Sequence, residues 1–188
     1  STRLDGPTRQ SVTIGYNRQD ALNGARRPTR PDTSGLFDLT GNIAGIGGGS
    51  IDPALDALAG RSVTVAPLPL DPATRGTLAA YAMGGGAARI TNLAPFQSIP
   101  GRDTLKVDGT QAVPIGRSVT ASLNLTMEAQ RSSGLAGLPT AVLRVPAGNP
   151  ASPFTRDVLL YRYLGEAGVL RQRTNSLALH AGTTVQGT

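Results

Sequence analysis

The chain has 188 residues and a formal net charge of +6; 39% of it is hydrophobic, only 4% is aromatic, and it contains no Trp or Cys. The missing cysteines exclude disulfides and thiolate metal sites, and no apolar run approaches the roughly 18 residues of a membrane helix. The length allows one domain with a core, or one domain with arms, but a core drawn from Leu, Val, Ile and Ala is thin.

The 24 Gly and 14 Pro make up about a fifth of the chain, above the ordinary usage of roughly 12%. A thin core with many turn residues suits a protein stabilised partly by neighbouring subunits. All but one of the 18 basic residues are arginine, the exception being Lys106. A GC-rich genome writes such a composition. Arginine also suits interfaces, because its planar fork pairs bidentately with carboxylate or phosphate.

In chain order, residues 1–50 read as an extended arm rather than a domain. Ser1-Thr2-Arg3-Leu4-Asp5 has no apolar leader, as in a cytoplasmic product trimmed of its initiator Met, unless a leader was cut away. Arg26, Arg27 and Arg30 cluster among Pro7, Pro28 and Pro31. Ser11-Val12-Thr13-Ile14 alternates as one short strand, and the segment ends in the glycines of 41–49. Such a segment is expected to be disordered or laid along a partner.

Residues 51–188 are expected to form a β-rich domain with two short helices. Asp52-Pro53 before Ala54 to Ala59, followed by Gly60, spells N-cap, N1 proline and C′ glycine, giving a helix over 53–59. Asp71-Pro72 opens a second helix over 72–83 in the same way, stopped by Gly84-Gly85-Gly86. Between them Ser62 to Val65 alternates as a strand that Pro67 and Pro69 should break. The strongest strand signal is Ser118 to Glu128, with Val119, Ala121, Leu123, Leu125 and Met127 on one face and polar residues on the other. At about 3.3 Å per residue this strand spans roughly 36 Å, long for a small domain.

Asp108-Gly109 predicts an earlier hairpin turn. A second hairpin is expected from Val158–Leu164 and Val169–Thr174 across Gly165–Gly168, which would set Arg162 opposite Arg171 and Arg173 beside them. Leu177 and Leu179 suggest one more short strand, and 182–188 a tail. Gly60-Arg61-Ser62-Val63-Thr64 recurs as Gly116-Arg117-Ser118-Val119-Thr120, read as two similar turn-to-strand entries. The fold class is mainly β, a β-sandwich or small β-barrel with two short helices and an extended N-terminal arm.

Catalytic groups are scarce. The lone His180 has no acidic residue after it, Glu128 and Glu166 stand alone, and no nucleophile elbow or metal-ligand spacing occurs. Gly45 to Ser50 imitates a phosphate loop, but Ser50 replaces its third glycine and the helix that follows is too short for a crossover. No catalytic, metal or cofactor-binding residues and no cofactor are therefore assigned. The site-like features are arginines: Arg26, Arg27 and Arg30 on the arm, and Arg162, Arg171 and Arg173 on the expected hairpin. Their candidate partners are a neighbouring subunit, an internal acid or nucleic acid.

These features point to a non-enzymatic structural assembly protein contacting copies of itself and neighbouring subunits. The expected setting is a tailed-bacteriophage virion, made in the host cytoplasm, in head decoration, at the head–tail joint or in the tail. The alternatives are a nucleic-acid-binding module using the arginine-rich arm and hairpin, and an envelope or pilus subunit lacking its leader.

Overall fold

The computed structural model describes residues 2–4, 8–26, 35–115 and 118–187. In chain order the strands are β1 (Thr2–Leu4), β2 (Arg9–Gln19), β3 (Leu22–Asn23), β4 (Asn42–Gly45), β5 (Val65–Pro67), β6 (Ser98–Ile99), β7 (Gly101–Ile115), β8 (Val119–Leu135), β9 (Thr140–Val145), β10 (Val158–Tyr163) and β11 (Arg171–Gly187). The helices are α1 (Pro53–Ala59) and α2 (Leu78–Gly84). Strands take up 51% of the chain and helices 17%, so the mainly β class holds. The antiparallel sheets are consistent with the β-sandwich expectation, and no closed barrel forms among the described residues.

The chain divides into two compact units, each built from separated segments. Unit 1 comprises residues 1–23, 98–135 and 171–188, and unit 2 comprises 24–97 and 136–170. Every buried hydrophobic residue among those described belongs to unit 2. Its four-stranded antiparallel sheet has the order β5-β4-β10-β9. Ile43, Ile51, Leu55, Val63, Ala66, Tyr81, Phe154 and Val158 form one core cluster. The Tyr81 and Phe154 rings meet edge to face at 4.9 Å between centroids, a favoured aromatic geometry.

Buried polar groups in unit 2 are all satisfied by specific partners. Asp52 caps α1 by accepting the Ala54 N–H at 2.8 Å, and its other oxygen accepts the Thr155 N–H at 2.6 Å and hydroxyl at 2.7 Å. Gly60 closes α1 in the left-handed region at φ 67°, as its position after the helix predicts. Asn42 donates to Leu36 O and Arg89 O and accepts the Arg89 N–H. Pro67 does not break a strand: it ends β5, an edge strand where a missing N–H costs nothing. The second helix is interrupted, with a short 3₁₀ turn at Pro72–Thr74 and α2 starting only at Leu78.

Several expectations are corrected. Of the segment 1–50 read as an arm, Arg9–Gln19 pairs with β7 over its whole length, and Asn42–Gly45 is fully buried. The sequence hides this because β2 is polar on one face and β4 is only four residues long. The glycine run 45–49 is a tight reversal between β4 and α1. A Cβ on Gly45 would lie 2.1 Å from the Gly49 carbonyl oxygen. Asp108-Gly109 is no turn: β7 runs through it, with Gly109 opposite Val12 and Leu125. The expected β10–β11 hairpin does not form either. β10 pairs with β4 and β9 in unit 2, whereas β11 pairs with β8 in unit 1. Residues 182–187, read as a tail, continue β11 opposite Val119–Asn124.

Two outcomes follow for unit 2. Deleting residues 1–50 removes β4 and should abolish its cooperative melting, as followed by circular dichroism. Asp52→Ala should cost about 1–3 kcal/mol, since it removes the α1 cap and the acceptor of the two Thr155 hydrogen bonds from a buried position. Burial pushes the Asp52 carboxyl up, but the Thr155 hydroxyl and the backbone N–H groups that bond it hold it, on balance, below its ordinary value. A depressed acid contributes stability above its unfolded pKa and loses it as pH falls. The wild-type melting temperature should therefore drop below about pH 4, and Asp52→Ala should flatten that drop.

Candidate functional site

Unit 1 is one antiparallel sheet in the order β1-β2-β7-β8-β11, accompanied by the short β3–β6 pair. Side chains alternate along each strand, and direct partners across strands share a face. The register therefore assigns every residue of the four long strands to one side or the other.

Tyr16, Leu105, Ala129 and Leu177 form one row across the sheet. The next row is Ile14, Val107, Met127 and Leu179. Val12, Gly109, Leu125 and Ala181 follow, then Gln10, Gln111, Leu123 and Thr183. Beyond β2 the rows continue as Val113, Ala121 and Val185, and as Ile115, Val119 and Gly187. Every Val, Leu, Ile, Met and Tyr of these four strands falls on this face. The opposite face carries residues such as Thr13, Asp108, Thr126 and His180 in one row. There Asp108 accepts the Thr126 hydroxyl at 2.9 Å and lies 3.4 Å from Lys106.

This apolar face is uncovered. Ile14 is 69% exposed, Leu177 71% and Val185 68%, and among the described residues of the four long strands none is buried. From the Leu105 row to the Ile115 row the band is about 33 Å long, and four strands make it roughly 19 Å wide. The footprint of about 600 Å² is at the upper end of what monomers expose and most of the roughly 800 Å² per partner in a standard interface. Its relief is uneven. One hollow of about 230 Å³ opens over Gly109, between Val12 and Leu125. A second, of about 240 Å³, lies over Ala121, beside Leu123 and Val185.

Past the Tyr16 row the same face turns basic: Arg18, Asp103, Arg131 and Asn175 form a row, followed by Arg173 beside Ser133 and Arg171 beside Leu135. Arg18 is paired to Asp20 at 3.1 Å. Asp103 accepts the Tyr16 hydroxyl at 2.9 Å, which pushes that phenol above its ordinary range. Arg171 and Arg173 flank an open hollow of about 560 Å³ with Ser133 and Leu135.

The arginines expected to act together are thus distributed. Arg162 belongs to unit 2, donates to the Leu39 carbonyl at 3.1 Å and pairs with Glu166 at 3.1 Å. Arg171 and Arg173 belong to unit 1. Arg26 ends a short exposed 3₁₀ turn at Gly24–Arg26; Arg27 and Arg30 lie outside the described residues. Among the described residues no cluster of potential metal ligands occurs, and no helix is long and apolar enough to cross a membrane.

Sequence reasoning missed most of this face. Val12, Ile14 and Tyr16 alternate as regularly as the residues of β8, and so do Leu177, Leu179, Ala181 and Val185. Each run is legible alone; what joins them into one surface is the register. No family of known proteins, no curated protein and no solved structure matches the chain.

Proposed function

We propose that this chain is a non-catalytic structural subunit, held in an assembly by packing the apolar face of its unit 1 sheet against the same face of another copy. The observation that carries this reading is the separation of the two units by burial: unit 2 holds the buried core, while unit 1 presents a broad apolar face to solvent. Such a sheet gains its missing layer on association, as the two halves of a β-sandwich do when they face each other about 10 Å apart.

A like face is the fitting occupant because ridge and hollow are both present on it. Leu179 and Ile14 project, while Gly109 and Ala121 leave recesses that an aliphatic side chain fills. Lipid fits poorly. The row Gln10, Gln111, Leu123 and Thr183 crosses the middle of the band, where a membrane-facing sheet is continuously apolar.

The setting proposed is a bacteriophage virion, in head decoration, at the head–tail joint or in the tail. It is supported by the Gly- and Pro-rich, aromatic-poor composition of the chain and by the exposed apolar face of unit 1. An envelope or pilus subunit would use the same subunit contacts in another location. The nucleic-acid alternative loses the hairpin on which it was built, because Arg162 pairs within unit 2 while Arg171 and Arg173 lie on β11.

The purified chain should be multimeric at micromolar concentration by light scattering. Leu123→Glu combined with Leu125→Glu should weaken association by tenfold or more, about 1.4 kcal/mol or above, without changing the melting of unit 2. A wild-type chain that stays monomeric would sink this reading. DNA affinity falling steeply with salt would favour the nucleic-acid module instead, and detection of the chain in purified particles would support the virion setting.

A further inference from the structure

The edge of the same sheet carries a second signal. β11 pairs with β8 from Arg171 opposite Leu135 to Gly187 opposite Val119, without a bulge. On its other side no strand lies among the described residues, and all 17 of its residues are exposed. A bare edge of that length offers a ladder of unpaired N–H and C=O groups, which proteins ordinarily blunt with proline, lysine, a bulge or a covering element. β11 contains no proline, no lysine and no acid.

We infer that β11 pairs antiparallel with β11 of a second copy, about a two-fold axis through Leu179. This deepens the proposed assembly role but uses the edge of the sheet, not its face. Leu179 is the central residue of β11, so an axis there pairs the strand over its full length. Thr174 then faces Thr184 of the second copy and Gln172 faces Gln186, both on the polar side. On the apolar side Leu177 faces Ala181, large against small, and Leu179 meets its own copy. The charges separate as well. Arg171 and Arg173 face Gly187 and Val185, so the two basic ends lie at opposite ends of the joined strands. Isologous pairing of this kind closes on itself, and an axis perpendicular to the sheet keeps both apolar faces on one side.

Head-to-tail addition of β11 to β2 of the next copy fits less well. β1 already occupies β2 at Gln10–Val12, leaving only Thr13–Gln19 free. An in-step join would also set Arg18 beside Asn175 and next to Arg173 of the neighbour, bringing like charges to one end.

The test uses the full chain and two polar-face positions that leave the apolar face untouched. Thr174→Lys with Thr184→Lys places like charges opposite each other twice across the two-fold. It should weaken association about tenfold by analytical ultracentrifugation at low salt. Thr174→Lys with Thr184→Glu places opposite charges there and should restore wild-type affinity or better. Equal weakening by both variants would overturn the two-fold register. No change in either, while Leu123→Glu with Leu125→Glu abolishes association, would overturn edge pairing and leave the face contact standing. A wild-type monomer would overturn both.

Discussion

Strand β8 is held in continuous antiparallel register by β7 on one side and β11 on the other, and that double pairing decides where the side chains of unit 1 point. A slip of one residue along either ladder would carry a whole set of apolar side chains to the polar face. The cleanness of the separation therefore shows how strongly the sequence of each strand agrees with its neighbours. Met127 has Val107 on one side and Leu179 on the other. Thr126, one residue away, has Asp108 and His180.

The two units solve the burial problem differently. In unit 2 a short strand, β4, is covered on both faces, and polar groups that enter the interior are tied by Asp52, Asn42 and Asp38. Asp38 accepts the Thr40 N–H and the Thr91 hydroxyl at 2.9 and 2.8 Å, so even this buried carboxylate is fully occupied. In unit 1 the backbone ladders and cross-strand pairs, each worth a fraction of a kcal/mol, do the holding, with apolar side chains only half covered by their neighbours. A sheet with one apolar face buries that face only against a second layer.

What was legible in the sequence follows from the range over which each signal acts. The cap Asp52, the N1 proline Pro53 and the stop Gly60 act within one turn, and α1 has the bounds they imply. The alternation of 118–128 is local too, and β8 contains it while running on to Leu135. Failures came where a local signal competed with a distant partner. Asp108-Gly109 looks like a turn, yet Gly109 does not adopt positive φ and is held extended between Val12 and Leu125. The glycines of 165–168 do turn the chain, with Gly168 at φ 79°. They send it into a different sheet, because β8 offers β11 a ladder along its entire length. The arginine assignment failed with that hairpin, since it depended on an adjacency that only the hairpin would have created.

The chain passes between the two units four times, at 23–24, 97–98, 135–136 and 170–171, so neither unit is a contiguous stretch of sequence. Synthesis therefore proceeds with both units unfinished until late. β2 waits for β7 across most of unit 2, and β4 waits for β10. β11 is the last made of the strands described. Until it emerges, β8 lacks its second neighbour and the sheet has neither its full width nor its outer edge. Ladders of such sequence separation form slowly, and the sheet of unit 1 is complete only once β11 has paired with β8. The order of the strands along the chain thus makes the outer edge of unit 1 the last part of its sheet to form.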